Sequence, residues 1–333
     1  MRRSASRPAL LALLVLASPA AAAAQGMESV GTRALGMAGA FVAVADDASA
    51  VYWNPAGLAT GALFSAVIDG GEHETGDVPT PPDGTDGGAR GHQLLVAAAT
   101  LPVAVSYLQR STTEATPGTP THPGRISALT THQVGLTFVQ TVVEGLVVAG
   151  SLKYVRGSYG TALVPAAGAA GADDLLDLAG DLDQAWSNAA DADLGVMGSI
   201  GAWRLGLVAR NLAAPEFEAA GGGPPGQLER QVRAGVAWLP STRLTVAVDV
   251  DLTTADRPSG ERRNVAGGVE TWWWERRFGL RGGVRANTAA TARPVGAVGA
   301  SVALRKALYA DAQWTLGGDQ ADVGWSLAGR VAF

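Results

Sequence analysis

The chain has 333 residues, of which 47% are hydrophobic and only 17% charged, and its formal net charge is −5. An acidic balance without a basic cluster argues against a nucleic-acid partner. The absence of cysteine excludes disulfide bonds, a lipid-anchoring cysteine and thiolate metal sites.

The first 24 residues have the pattern of a secretory signal peptide. Arg2, Arg3 and Arg7 precede an apolar run at 9–17, and an alanine tract closes the segment. The run is too short to span a bilayer, and no stop-transfer pattern follows it. We therefore expect an exported chain, whose formal charge falls from −5 to −8 when the three arginines are removed.

Residues 25–61 do not alternate, and we predict that they form a compact, mostly helical hatch. Asp46 or Asp47 is placed to cap a short turn, which we prefer to a cation site, and Asn54 followed by Pro55 is typical of a helix start. The hatch residues predicted to face a ligand are Leu35, Met37, Phe41, Val42 and Val44, and the motif residues are Asn54, Pro55, Ala56 and Gly57.

Residues 62–333 are predicted to be all-β, as a membrane-spanning antiparallel barrel of about fourteen strands. The clearest alternation, at 244–253, places Leu244, Val246 and Val248 on one face and Asp249 on the other. Each strand of such a barrel presents apolar residues to lipid on one side only, so no long apolar run is needed. The predicted strands are 62–69, 91–100, 102–113, 129–141, 145–158, 189–200, 202–211, 229–239, 242–253, 261–272, 276–286, 293–303, 306–316 and 321–333.

Long connections alternate with short turns along the predicted barrel. The longest are 70–90 and 159–188, whereas the turns between them, such as 142–144, are tight. Outer-membrane barrels carry long loops outside the cell and short turns in the periplasm, so this asymmetry predicts the topology. The leucines in 173–185 suggest a short amphipathic helix, either folded over the barrel mouth or solvated in a loop.

Aromatic residues are predicted at both membrane interfaces, and charged residues in the lumen. Trp203, Trp238, Trp272–Trp274 and Phe333 fall at one set of strand ends, and Trp314 and Trp325 at the other. The predicted lumen residues form either cross-lumen ion pairs or a selectivity lining. They include Lys153, Asp193, Arg210, Arg233, Asp249, Asp251, Glu270, Arg281, Arg285 and Asp311.

The segment 31–59, with its Asn54-Pro55-Ala56 motif, resembles the hatch of the FadL-type outer-membrane channels. The resemblance is greatest to the PorV/PorQ-like and TraF-like branch, and segments such as 206–212 and 267–270 extend it over most of the mature chain. It implies fourteen strands, a location in the outer membrane of a Gram-negative-type envelope and a hatch that plugs the lumen. Leu327, Val331 and Phe333 resemble the C-terminal signal that the barrel assembly machinery reads.

Two functions follow from this interpretation. The first is a passive channel for small hydrophobic molecules, and the alternative is a non-transporting surface scaffold or secretion partner, as the PorV-like branch implies. An apolar pocket between hatch and wall favours the channel, whereas a packed lumen favours the scaffold. No catalytic or metal constellation stands out among the four histidines and the carboxylates, so we expect neither an enzyme nor a cofactor. The expected partners are outer-membrane lipid, the assembly machinery, and a hydrophobic small molecule or secreted protein.

Overall fold

The computed structural model describes residues 29–79, 86–118, 123–164, 172–220, 223–255, 261–289, 294–317 and 323–333, so the predicted signal peptide lies outside the described residues. The helices are α1 (Thr32–Leu35), α2 (Ala50–Trp53) and α3 (Ala172–Leu178), with short 3₁₀ turns at Pro55–Thr60 and Ala179–Asp181. The strands are β1 (Phe64–Pro79), β2 (Asp86–Thr100), β3 (Val103–Thr116), β4 (Gly124–Val143), β5 (Leu146–Val164), β6 (Ala185–Ile200), β7 (Trp203–Arg210), β8 (Glu216–Phe217), β9 (Gly226–Gln227), β10 (Gln231–Ser241), β11 (Leu244–Asp251), β12 (Asn264–Trp273), β13 (Phe278–Asn287), β14 (Pro294–Arg305), β15 (Leu308–Gly317) and β16 (Val323–Ala332).

Fourteen of these strands form one closed antiparallel barrel, as predicted. They pair in chain order, β1 pairs with β16 to close the sheet, and β8 and β9 form a separate two-stranded sheet. Closure leaves no free sheet edge along the bilayer, where an unpaired backbone group would be costly. No helix within the described residues is long and apolar enough to cross a membrane.

Alternate residues face opposite sides of the barrel wall. On β11, Val246, Val248 and Val250 are exposed, whereas Ala247 and Asp249 between them are buried. Apolar side chains therefore face the lipid and polar ones face the lumen, which is the arrangement of a membrane barrel.

The predicted strand limits fall short at one end of the barrel. β1 continues ten residues past the predicted end at 69, and β4, β5 and β6 also extend beyond their predictions. The missed portion of β1 carries Gly, Glu, His and Thr instead of an apolar outer face. Strands that protrude from the membrane keep their pairing without needing that face, so apolar alternation does not detect them.

The wall is therefore uneven in height. β4 and β5 have 20 and 19 residues, whereas β7 and β11 have 8 each. We call the end with the connection 165–184 the long-loop end and the opposite end the short-turn end. Beside the low wall, residues 211–220 fold inwards, and the fully buried Phe217 packs with Leu129, Val155 and Tyr159.

The predicted amphipathic helix forms as α3 and packs against protein. Leu175 and Leu176 are buried in a cluster with Ala115 and Ile126, which lie in the outward phase of β3 and β4. α3 thus covers the outer surface of the protruding strands and does not cover the mouth. Leu178, predicted on the apolar face, is exposed.

The aromatic residues occupy both rims, with one correction. Trp203 and Trp238 lie side by side at the short-turn end with ring centres 6.2 Å apart, and Trp314 and Trp325 are exposed towards the other end. Trp272, predicted at the interface, is buried because its position on β12 points into the lumen.

The C-terminal residue also closes the barrel. Phe333 exchanges two main-chain hydrogen bonds of 3.0 Å with Phe64, and their rings stack with centres 5.0 Å apart. Leu327 and Phe333 are exposed. Recognition of Leu327, Val331 and Phe333 by the assembly machinery stays a prediction.

The two barrel ends predict opposite accessibility. An epitope tag inserted at Gly118, at the long-loop end, should bind antibody on intact cells, because exposed loop tips tolerate insertion. A tag at Pro240, at the short-turn end, should bind only after the outer membrane is permeabilised. The reverse pattern would contradict the assigned orientation. Gly84 and Gly222, also in predicted outer loops, lie outside the described residues.

Candidate functional site

The lumen of the barrel is filled by the N-terminal segment, residues 29–61, which we call the plug. Between residues 29 and 58, every residue except Asp46 is buried. The plug contains no strand, and its 3₁₀ turn ends at Thr60, just before β1 begins at Phe64. This transition lies next to the boundary between hatch and barrel predicted at 61/62. The lumen is the candidate functional site because any solute that crosses the barrel must pass the plug.

Arg33 of α1 holds the plug to the wall with charge-assisted hydrogen bonds. Its Nε and Nη2 donate to the two carboxylate oxygens of Glu270 on β12 at 2.8 and 2.6 Å. Its Nη1 donates to Asp46 and, at 3.0 Å, to Asp47, both in the plug. Such a bidentate pair is directional as well as strong, so Arg33 fixes both the position and the angle of the plug.

Buried charges of opposite sign stabilise each other around this anchor. Burial alone would raise the pKa of Asp47, but Arg33, Arg330 and a hydrogen bond from Ser49 hold it below its ordinary value. Burial also disfavours the charged form of Arg33, yet Asp46, Glu270 and Asp47 raise its pKa well above the ordinary value. The anchor therefore stays ionised at neutral pH.

Two further contacts position the middle of the plug. Asp249 on β11 accepts hydrogen bonds of 2.8 Å from the main-chain N–H groups of Phe41 and Val42. Asn54 donates from its amide nitrogen to the carbonyl oxygens of Val42 and Val196, each at 3.0 Å, and accepts from the N–H of Ala56. The predicted helix start at Asn54 is confirmed, and the same side chain also ties the plug to β6.

Asp47 caps the turn that follows it in the chain, at 48–51, as predicted. Its Oδ1 accepts hydrogen bonds from the main-chain N–H of Ser49 at 3.0 Å and from the Ser49 hydroxyl at 2.5 Å. Its other oxygen binds Arg33. No group of three or more His, Asp or Glu side chains within the described residues is placed to hold a metal ion.

Glycines in the barrel wall allow the main chain of the plug to pack closely against it. A Cβ atom at Gly268 would lie 2.7 Å from the carbonyl oxygen of Met37, and one at Gly206 would lie 2.6 Å from that of Val42. Real Cβ atoms do not approach oxygen so closely, so the wall needs glycine at these points. The fit leaves Met37 and Val42 fully buried.

The predicted lumen residues all face inwards, but they do not pair across the lumen. Lys153 on β5 binds Asp191 and Asp193 on β6, both at 2.7 Å. Arg233 on β10 likewise binds Asp251 on β11 at 2.6 Å. Pairing runs between neighbouring strands because the plug occupies the centre of the barrel. The remaining lumen residues make other contacts: Arg210 stacks on Tyr52 of the plug, Arg281 binds Glu270 on the neighbouring β12 and Asp311 two strands away on β15, and Arg285 borders a cavity.

The residues predicted to face a ligand pack against the wall instead. Met37, Phe41, Val42 and Val44 are at most 1% exposed, and Leu35 alone of the five lines a cavity. That cavity has a volume of about 50 Å³ and is lined by both polar and apolar side chains. A cavity of this size holds only a few heavy atoms, so it is not the apolar pocket that would favour transport.

Sequence reasoning missed Arg33 as the anchor. One signal was available, because Arg33 is the single basic residue between 25 and 61, and two acids follow it in the same segment. Its partner Glu270 was predicted only as a lumen residue, since nothing in one sequence pairs positions 237 residues apart.

Comparison with known proteins agrees with this fold. A family model described as "F plasmid transfer operon, TraF, protein" matches residues 124–251. The structure is similar to that of the CymD monoaromatic hydrocarbon channel, with a TM-score of 0.64 and 15% identity, covering 93% of this chain and 99% of that one. No curated protein sequence matches the chain.

Two further channels share the architecture. The Pseudomonas putida toluene transporter TodX has a TM-score of 0.62 at 13% identity, covering 92% of this chain and 99% of that one. A Pseudomonas aeruginosa FadL homologue has a TM-score of 0.59 at 12% identity, covering 92% and 98%. The chain therefore has the fold of the FadL-superfamily outer-membrane barrels, and the predicted resemblance to the TraF-like branch is confirmed.

Proposed function

We propose that this protein is a passive outer-membrane channel for small hydrophobic molecules, closed by the plug at rest. One observation carries the proposal. Within the described residues, no main-chain group of the plug bonds to a main-chain group of the wall, and each plug–wall hydrogen bond uses a side chain. The plug can therefore move without breaking the barrel's strand pairing.

The surfaces that separate on such a movement favour a hydrophobic solute. Met37 faces Gly268 of the wall and Val42 faces Gly206, so a shift of the plug would expose apolar plug side chains and small wall residues beside the charged residues of the lumen. Passage of apolar solutes needs this kind of surface. The fold shared with channels described as carrying monoaromatic hydrocarbons and toluene supports the same proposal, and no catalytic role is proposed.

A second candidate is a non-transporting surface scaffold. The closely packed plug favours it, because Met37, Phe41, Val42 and Val44 of the plug are almost fully buried. A scaffold needs a stable barrel whose loops are exposed to partner proteins. Under this second hypothesis, the plug serves only to fill the lumen.

The Asn54→Ala variant distinguishes the two functions. It removes a cap and two hydrogen bonds to carbonyl oxygens, so we expect the plug to lose about 0.5–2 kcal/mol for the cap alone. In a channel, single-channel conductance and uptake of labelled hydrophobic solute should rise in this variant and in a deletion of residues 31–59. Folding is checked by heat modifiability on gels. A folded deletion that conducts no more than wild type, with no solute uptake by either, would favour the scaffold.

A further inference from the structure

A small cavity lies on the long-loop side of the plug, apart from the apolar plug–wall contacts. It lies between Ser29 and Leu35 of the plug and the inner faces of strands β1, β2, β3, β13, β15 and β16, and its volume is about 50 Å³. One water needs roughly 10–15 Å³ by the same measure. The cavity therefore suits a molecule of only a few heavy atoms.

Three buried polar atoms at this cavity have no hydrogen-bond partner among the described residues. They are Oε1 of Gln93, Oγ1 of Thr112 and Oγ of Ser326, on side chains of residues that are 4%, 8% and 1% exposed. The Gln93 amide nitrogen donates to Asp69 at 2.6 Å, which turns the amide oxygen away from that carboxylate. That oxygen therefore requires a donor, while each hydroxyl can donate or accept.

Positive charge dominates the lining. Arg110, Arg262 and Arg285 line the cavity, whereas Glu72 is the one carboxylate residue among the lining residues. Arg110 and Arg285 are also buried. A guanidinium group matches the two oxygens of a carboxylate and is worth more when water is excluded.

The strand register brings the polar groups together. Ser326 on β16 is opposite Gly71 on β1, Gly71 is opposite Gln93 on β2, and Gln93 is opposite Arg110 on β3. The four residues form one row across four neighbouring strands, and the Ser326 side chain packs directly over Gly71, where a Cβ atom would lie 2.3 Å from the Cβ of Ser326.

We propose that this cavity binds a small hydroxy- or amino-substituted carboxylate of two or three carbons. The carboxylate pairs with Arg285, and Arg110, which already donates to Ser29 and Tyr52, adds positive charge beside it. The hydroxyl or ammonium group of the ligand donates to Oε1 of Gln93. The hydroxyls of Thr112 and Ser326 complete the hydrogen bonds. This inference goes beyond the proposed channel, because the site uses none of the apolar surfaces on which hydrophobic passage depends.

Binding is tested with lactate and propionate, which differ by one hydroxyl group. Saturation-transfer NMR on the purified full chain in detergent should give a dissociation constant for lactate about 2–10-fold lower than for propionate, as expected for one net hydrogen bond. Equal affinities would overturn the assignment of a donor to Gln93. Displacement of lactate by laurate would also overturn the proposal, because a long acyl chain does not fit.

Substitutions of the residues that line the cavity test whether lactate binds there. Arg285→Gln should weaken lactate binding at least 10-fold, since hydrogen bonds to charged groups are the stronger ones. Thr112→Val and Ser326→Ala should each weaken it about 2–10-fold and keep the fold, because those hydroxyls have no partner within the described residues. Arg305→Gln, an exposed arginine at the short-turn end, is the matched control and should bind as wild type.

Two results would overturn the site. The first is no lactate binding by the wild type at tens of millimolar, in which case the cavity holds water alone. The second is binding that is unchanged in Thr112→Val and Ser326→Ala. These two variants keep the test decisive even if Arg285→Gln fails to fold.

Discussion

Replacing Arg33 with alanine is expected to release the plug while the barrel stays folded. The substitution leaves Glu270, Asp46 and Asp47 without their shared cation, and Glu270 and Asp47 are almost fully buried. Removing one partner of a buried ion pair costs about 3–5 kcal/mol when the remaining charge is uncompensated. The lower end applies here, because Arg281 still pairs with Glu270 and Arg330 with Asp47. The wall keeps its strand ladder, so the loss falls on the plug.

The absence of native cysteine makes plug opening directly measurable. A cysteine placed at the fully buried Ala43 reacts with a maleimide only when the plug opens. In that background, Arg33→Ala should raise the labelling rate about 10²-fold, since each 1.4 kcal/mol is tenfold in an equilibrium. Adding Glu270→Gln should recover part of the loss, because it removes a buried carboxylate that has lost its bidentate partner.

Arg90 provides the control for charge removal. Its pairs with Glu74 and Asp177 lie on the outer surface, where all three side chains are about half exposed or more. Such pairs contribute about 0–1 kcal/mol. Arg90→Ala should therefore leave plug labelling near the wild-type rate. If Arg33→Ala did the same, Arg33 would not be the anchor of the plug.

Replacing Gly57 with alanine is expected to disrupt the plug from within. A Cβ atom there would lie 2.0 Å from the carbonyl oxygen of Ala45, which belongs to the main chain and cannot rotate away. The 3₁₀ turn that begins after Asn54 must then move away from residues 42–45. Overpacking of this kind costs about 1–3 kcal/mol, occasionally more.

Gly267→Ala is the matched control for this variant. Gly267 faces outwards on β12, and a Cβ atom there meets nothing within 4 Å. We expect faster labelling at Ala43→Cys in Gly57→Ala, unchanged labelling in Gly267→Ala, and normal heat modifiability in both. Wild-type labelling in Gly57→Ala would show that the plug can absorb the clash. Loss of the folded barrel would instead show that assembly depends on the plug.

Strand alternation was sufficient to predict the barrel but not its height. Alternation at 244–253 depends on lipid contacting one face, so it predicted β11 to within two residues at either end. Past the bilayer, β1 continues through Gly71, Glu72 and His73, where no lipid imposes a pattern. Pairing with β2 and β16 holds this portion, and the sequence of one strand does not encode those partners.

The candidate site was predictable only where the signal was local. The Asn54-Pro55 start was visible because a cap acts between neighbouring residues. Each lumen residue was visible as a polar position in an apolar alternation, but its partner was not. Asp249 binds main-chain groups of the plug more than 200 residues away, and a single sequence carries no record of that contact.

Because the wall is uneven in height, the long-loop end of the barrel is more enclosed on one side than on the other. β5 is 11 residues longer than β11, which at about 3.3 Å per residue amounts to some 35 Å along the strand. On the side of β4 and β5 the wall extends furthest beyond the membrane, and α3 packs against its outer surface. On the side of β11 the strand is shorter, so among the described residues the wall is lower on that side.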